Sequence, residues 1–226
     1  LGVTVTDGAG SPRDGIYARY TDKEMQAVRK LEQKKAASVG DYSACLLLDY
    51  PSAAVKNAAD RRLEEELERL FRRVRPKVLY THNLCDKHDT HVAVALRTLA
   101  ALRRLPAVQR PPLVLGCEVW RDLDWLPDQD KVALDVGGHE SLAAALLGVF
   151  DSQICGGKRY DLATLGRRRA HATYHTSHGT DKTLGLTFAM DLTPLVANPK
   201  LDPKAFALDQ IAAFSREVAE RVGKLA

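Results

Sequence analysis

Residues 77–105, KVLYTHNLCDKHDTHVAVALRTLAALRRL, decide the fold of this chain. A short β-rich run, Lys77–Tyr80, leads into a polar corner, Thr81–His91, and then into an apolar-periodic segment, Val92–Leu105. This order predicts a strand, a loop and a helix. Ligands of open α/β sheets bind at the carboxyl ends of the strands, so we expect a functional site at this corner.

The corner combines residue types that bind metals. His88 and His91 are three residues apart at the start of the predicted helix, so both point from one helix face. Neutral imidazole is a common zinc ligand, and a catalytic zinc typically keeps about three protein ligands and a water. Asp86 and Asp89 would also suit an N-cap and a first-turn carboxylate. We predict a metal or catalytic site here.

Two other arrangements of histidines remain open. A metal set of His82, His88 and His91 would require the loop after Tyr80 to fold His82 back onto the helix. A second metal site is conceivable in the polar segment that follows the predicted helix Asp161–Ala170, but a surface loop is the commoner role of such a segment. Its histidines are His171, His175 and His178.

Composition limits the classes of protein. The chain has 226 residues, of which 45% are hydrophobic and 27% are charged, which predicts one globular domain over residues 1–226. The net charge of +4 is mild. The arginine clusters lie near the ends of predicted helices and no aromatic residues alternate with them, so we expect no nucleic-acid partner.

The cysteines, the apolar runs and the start of the chain indicate where in the cell the protein is expected. The four cysteines are far apart, which favours a reducing, cytoplasmic location over a disulfide framework. No run of about 18 apolar residues predicts a membrane span. The chain starts at Leu1 and enters a strand-like alternation, Gly2–Thr6, so we expect the natural start to lie upstream. A signal peptide there, and the oligomeric state, remain open.

Strand and helix patterns alternate through the first 150 residues or so. Helix Thr21–Ser38, with a capping box of Thr21 and Glu24, precedes the buried strand Cys45–Leu48. The further predicted elements are helix Ser52–Val74, strand Leu113–Cys117, strand Lys131–Val136, helix His139–Phe150 and helix Phe206–Leu225. This order predicts an α/β fold, a parallel sheet with helices on both faces.

Several motifs together resemble one protein family. The sequence Asp86-Lys87-His88-Asp89-Thr90-His91 resembles the Asp-x-His-x-x-His motif of the PIG-L/LmbE-like N-deacetylases. Segments Val5–Gly8, Arg29–Glu32 and Phe150–Gln153 resemble further family segments in the expected order. The resemblance covers nearly the whole chain. It implies a Rossmann-like three-layer fold that binds one zinc ion and removes an acetyl group from an N-acetylglucosamine-type small molecule.

The resemblance also implies residue roles. His91 corresponds to the zinc ligand, and His88 to the histidine that assists the transition state beside the metal. Asp86 would orient a histidine, a contact that tunes metal sites. Arg29 would contact the substrate. Asp7 is predicted as a second substrate contact, although a turn role is common before a glycine such as Gly8.

The chain departs from the family pattern at three places. Thr90 stands where the family commonly has Asp, and Phe150 where it often has His. The family's His-Pro-Asp-Asp motif, which supplies the other zinc ligands and the base, does not occur, so the resemblance implies that this chain lacks the first strand and helix of the fold. We therefore expect this chain alone to bind zinc weakly and to be inactive. The alternative is a non-catalytic relative that binds a sugar or a partner without the full metal site.

Overall fold

The computed structural model describes all residues, Leu1–Ala226. The chain divides into two compact units. The first unit comprises residues 1–55 and 135–187, and the second comprises residues 56–134 and 188–226. That residues 1–226 form a single domain, one that lacks the N-terminal part of the family fold, stays a prediction.

Strands and helices alternate along the chain. The strands are β1 (Gly2–Thr6), β2 (Cys45–Tyr50), β3 (Val78–His82), β4 (Leu113–Cys117), β5 (Lys131–Asp135) and β6 (Leu186–Asp191). The helices are α1 (Asp22–Val39), α2 (Ser52–Lys56), α3 (Arg62–Val74), α4 (Asp89–Arg103), α5 (Glu140–Gly148), α6 (Asp151–Ile154), α7 (Tyr160–Tyr174), α8 (Thr193–Ala197) and α9 (Pro203–Leu225). None of the helices combines the length and the apolar character that crossing a membrane requires.

The first unit is built around a parallel pair of strands. β1 and β2 lie side by side, with Val3 opposite Leu46 and Thr4 opposite Leu47. α1 connects them, and it begins at the predicted capping box, in which Thr21 and Glu24 satisfy each other's backbone N–H groups. The helix packs against β2, α5 and α6, and this packing buries Met25 completely.

The second unit contains a mixed sheet. Its strand order is β3-β4-β6-β5. β3 and β4 run in parallel, and His82 and Cys117 face each other at their carboxyl ends. β6 runs antiparallel to β4, a mixture that is common in α/β sheets. The predicted α/β class with parallel strands is confirmed, although the sheet is not purely parallel.

α4 forms the centre of the second unit. It packs against α3, β3 and α8. Leu99 and Leu102 of α4 are almost completely buried, as are Leu115 of β4 and Leu195 of α8. Complete burial of a leucine contributes about 1.5–3 kcal/mol. This core fixes the start of α4 relative to the carboxyl ends of β3 and β4, where the corner lies.

One predicted helix is broken in the structure. The apolar periodicity predicts a continuous helix over residues 52–74, but α2 ends at Lys56 and α3 begins at Arg62. The side chain of Asn57 accepts a hydrogen bond from the Ala59 N–H at 3.0 Å. Asparagine offers the backbone this turn in place of the helical hydrogen bond, which explains the interruption.

Candidate metal centre

The corner is a tight loop between β3 and α4. Asn83 is fully buried at its start. Its side-chain oxygen accepts a hydrogen bond from the Cys85 N–H at 2.7 Å, and its amide nitrogen lies 3.4 Å from the Gly116 carbonyl oxygen. A Cβ at position 116 would lie 3.3 Å from that amide nitrogen, so a glycine there leaves room for it. Asn83 thus ties the corner to β4.

Asp86 is the central carboxylate of the corner, and its side chain is fully buried. One oxygen accepts a hydrogen bond from the His88 N–H at 2.9 Å. The other lies 3.0 Å from Nδ1 of His91. A carboxylate accepts rather than donates, so His91 carries its proton on Nδ1 and leaves the lone pair of Nε2 free. That is the arrangement that the predicted orienting role of Asp86 requires.

The three histidines of the corner form a stack. The rings of His82 and His91 are parallel within 3°, and their centroids are 4.0 Å apart. The ring of His88 lies 4.6 Å from that of His91, tilted by 35°. Burial, and then the neighbouring His91, lower the pKa of His82 to about 4. His82 is therefore neutral near pH 7, which is the form of imidazole that binds metals.

The donor set of the corner suits a zinc ion in residue type. Ligand atoms of His82, Asp86 and His91 lie within 4.8 Å of one another, and it is the only such group of His, Cys, Asp or Glu side chains in residues 1–226. Zinc binds imidazole nitrogen and carboxylate oxygen at about 2.0–2.2 Å. His91 is ready to bind, because Asp86 already orients it. The lone pairs of two parallel, stacked rings do not converge on one ion, so His82 would have to turn before it could bind as well.

Cys85 does not join this donor set. Its thiol is half-buried. Burial, and then the carboxyl of Glu118, raise the pKa of Cys85 to about 11. The group of ligand atoms that lie within 4.8 Å of one another comprises His82, Asp86 and His91 and does not include Cys85, which is therefore a neighbour of the site.

Glu118 is a site residue that the sequence pattern did not single out. It follows β4 directly, at the same sheet edge as His82, and its side chain has no exposed surface. Its Oε2 accepts a hydrogen bond from the Leu123 N–H at 3.3 Å, whereas Oε1 has no hydrogen-bond partner. Burial, and then the charge of Asp86, raise the pKa of Glu118 to about 7. The rule that polar residues following neighbouring parallel strands meet at one edge could have identified it.

The raised pKa of Glu118 predicts a pH dependence of stability. Its folded pKa of about 7 exceeds the ordinary value of 4.5, so the folded chain binds this proton more tightly than the unfolded chain. The contribution is complete below pH 4.5 and is lost as the pH rises through 7. Gln stays neutral at every pH. Glu118→Gln should therefore become more stable relative to the wild type between pH 5 and pH 8.

Urea denaturation of both proteins at the two pH values measures this difference. Glu140→Gln is the matched control, because Glu140 is exposed and pairs with Arg169 at the surface. A difference between Glu118→Gln and wild type that stays constant from pH 5 to pH 8 would show that Glu118 has an ordinary pKa.

The predicted substrate contacts lie in the first unit. Arg29 pairs with Glu32, and its guanidinium lies 5.2 Å from the centre of the Phe150 ring. Glu32 is buried and accepts hydrogen bonds from the N–H of Ser152 at 2.7 Å and from its hydroxyl at 2.9 Å. Glu32 thus links α1 to α6, and the aliphatic stem of Arg29 packs against Gly8. Substrate binding by Arg29 stays a prediction.

Asp7 makes local contacts. One side-chain oxygen accepts a hydrogen bond from the Ala9 N–H at 3.1 Å, which is a turn contact. The other accepts one from Nε2 of Gln26 at 3.0 Å. Gly8 follows with a φ of 79°, a conformation that favours glycine. The structure thus places Asp7 in the turn, and its role as a substrate contact stays a prediction.

The histidines of the later segment lie at a helix end. His171 belongs to α7 and is buried, so it is not part of a surface loop, and His175 follows the end of that helix. His178 is exposed beyond it. No second cluster of metal-binding side chains forms here.

The chain is similar in sequence to one known protein family. Residues 1–102 match the sequence model of the family described as "PIG-L: GlcNAc-PI de-N-acetylase". No curated protein matches the chain.

Three solved structures share the fold. A conserved protein, TT1542, from Thermus thermophilus has 17% sequence identity and a TM-score of 0.61, with 88% of this chain and 84% of that chain covered. The 4-carboxy-2-hydroxymuconate hydratase GalB from Pseudomonas putida has 17% identity and a TM-score of 0.61, with 84% and 82% covered. The N,N'-diacetylchitobiose deacetylase from Pyrococcus horikoshii has 13% identity and a TM-score of 0.56, with 82% and 71% covered.

Identities this low show a common fold and leave the activity open, since a hydratase and a deacetylase share it. The residues that match the family, 1–102, include the corner and its three histidines. The predicted resemblance of this chain to the PIG-L/LmbE-like deacetylase family is thereby confirmed.

Proposed function

We propose that the corner is the metal-binding part of a zinc-dependent N-deacetylase site, which hydrolyses the acetamide of a small N-acetylglucosamine-type substrate. The observation that carries this proposal is the contact of the buried Asp86 carboxylate with the partly buried His91, with 3.0 Å between the carboxylate and Nδ1. The family match over residues 1–102 supports the reaction class. A cytoplasmic location and the absence of a nucleic-acid partner stay predictions.

Each residue of the corner has a distinct task in this proposal. His91 would hold the metal through Nε2, and Asp86 keeps its ring in the required orientation and tautomer. When bound, zinc supplies Lewis-acid polarisation of the amide carbonyl and a more acidic water. His88 would donate a hydrogen bond to the developing oxyanion, an interaction often worth about 3 kcal/mol. Both oxygens of Asp86 are engaged, so we assign it to orientation and not to proton abstraction.

One observation favours a second candidate. The parallel rings of His82 and His91 do not share an ion as they stand, which fits a non-catalytic relative that binds a sugar or a partner. The two candidates differ in a measurable property. A deacetylase site binds zinc at His91, whereas a non-catalytic relative binds N-acetylated sugar without needing zinc.

The test uses the 226-residue chain with N,N'-diacetylchitobiose and N-acetylglucosamine as probes, with zinc or with a chelator. The readouts are free amine released over hours and sugar binding by ligand-observed NMR. We expect weak zinc binding, and any amine release should disappear with the chelator and in His91→Ala. Amine release that withstands the chelator would refute zinc dependence. Sugar binding that is independent of zinc, with no zinc at His91, would favour the second candidate.

A further inference from the structure

The position of Asp86 depends on how the corner is held. A carboxylate that orients a metal ligand has to be placed within about 0.5 Å. Within the corner, Asn83 supplies the turn. From outside it, Nη1 of Arg121 donates a hydrogen bond to the carbonyl oxygen of Cys85 at 2.8 Å, directly before Asp86. Arg121 therefore restrains the backbone on which Asp86 is carried.

Arg121 belongs to a strained loop after β4. Asp122 and Leu123 have φ values of 56° and 60°. This left-handed conformation is unfavourable for a residue with a side chain, because Cβ comes too close to the following carbonyl oxygen. Leu123 is completely buried, which anchors the loop. Strain of this kind persists where the surrounding structure imposes it, and it is concentrated at functional sites.

Glu118 stabilises the strained conformation. Its Oε2 accepts the Leu123 N–H at 3.3 Å, and its Oε1 lies 3.9 Å from Nη1 of Arg121. The carboxyl is buried, and Oε1 makes no hydrogen bond. A buried carboxyl oxygen without a hydrogen-bond partner lowers the stability of the fold, so its presence calls for a structural or functional explanation. Its two contacts both hold the segment that brings Arg121 to Cys85.

We propose that Arg121 is a positioning residue: by holding the Cys85 carbonyl it fixes the backbone that carries Asp86, and through Asp86 it orients the imidazole of His91. This inference rests on the proposed function only in taking His91 as the metal ligand. Arg121 itself does not touch the metal or the substrate. Its side chain is half exposed, so its removal should leave the fold intact.

The test compares Arg121→Ala and Arg121→Lys with the wild type. Nitrogen chemical shifts of the histidine rings in the metal-free chain report the tautomer of His91. In the wild type, His91 should carry its proton on Nδ1. In Arg121→Ala, we expect a mixture of tautomers and roughly 10-fold weaker zinc binding, as is typical when the support of a metal ligand is lost. Lysine can still donate a hydrogen bond to the Cys85 carbonyl. Arg121→Lys should therefore retain part of the Nδ1 tautomer of His91 and part of the zinc affinity.

Arg169→Ala is the matched control, because Arg169 is an exposed arginine paired with Glu140. It should change neither the tautomer nor the affinity. In an Asp86→Asn background, Arg121→Ala should add less than 2-fold, because its effect passes through Asp86. The unchanged tautomer of His91 in Arg121→Ala, or a full additional loss in the double variant, would overturn the proposal. The tautomer is measured without metal or substrate, so its outcome is separate from that of the deacetylase proposal, which fails if the chain binds sugar without zinc and no zinc binds at His91.

Discussion

His91→Ala should abolish zinc binding at the corner. His91 is the only imidazole there that is already oriented by a carboxylate, through the 3.0 Å contact with Asp86. Loss of such an orienting partner costs about 10–100-fold in metal affinity, so loss of the ligand itself should cost more than about 100-fold. Calorimetric titration with zinc and a competing chelator measures this change.

Two further variants make the result specific. His178→Ala removes an exposed histidine beyond α7 and should leave zinc affinity unchanged. His82→Ala should retain affinity within a few-fold, because the stacked ring does not point its lone pair at the ion that His91 would bind. Wild-type affinity in His91→Ala would show that His91 is not a zinc ligand. Loss of affinity in His82→Ala would instead support the set of His82, His88 and His91.

Glu32→Ala should destabilise the first unit strongly. The buried carboxylate accepts the N–H and hydroxyl of Ser152 and pairs with Arg29. Its removal leaves a buried N–H and a largely buried guanidinium without their partner. A buried unsatisfied group costs about 1–3 kcal/mol, and more when it is charged. We expect a loss of about 3 kcal/mol in the free energy of unfolding, which corresponds to a fall in Tm of roughly 6–12 °C for a chain of this size.

Thermal denaturation followed by circular dichroism checks the effect. Glu140→Ala is the control, since Glu140 lies in the same unit but pairs with an exposed arginine. It should change the stability by less than about 1 kcal/mol, as is usual for surface ion pairs. If Glu32→Ala were no more destabilising than Glu140→Ala, the pair of Arg29 and Glu32 would be the helix-surface pair that its i,i+3 spacing also allows.

Local sequence signals predicted the elements around the site. The corner after Tyr80 was expected between a strand and a helix, and β3 and α4 flank it. The capping box of Thr21 and Glu24 fixed the start of α1. The prediction of one continuous helix over residues 52–74 was wrong. Its apolar periodicity is continuous, but the side chain of Asn57 forms a turn that divides it.

Contacts between distant segments account for what the sequence did not reveal. Glu118 and Arg121 reach Asp86 and Cys85 only because β3 and β4 are paired in parallel. The burial of Glu32 depends on Ser152, which is 120 residues away in the chain. The stack of His82 on His91 depends on the path of the loop after β3, and no spacing rule encodes that path.

The most direct test of our central claim is a zinc titration of the 226-residue chain, followed through the ring nitrogens of its histidines by NMR. The arrangement of Asp86 and His91 predicts that Nε2 of His91 responds at the lowest zinc concentration, while Nδ1 keeps its proton. His178 should not respond at these concentrations. A first response at another histidine, or at Nδ1 of His91, would contradict the claim that Asp86 prepares His91 to bind the metal.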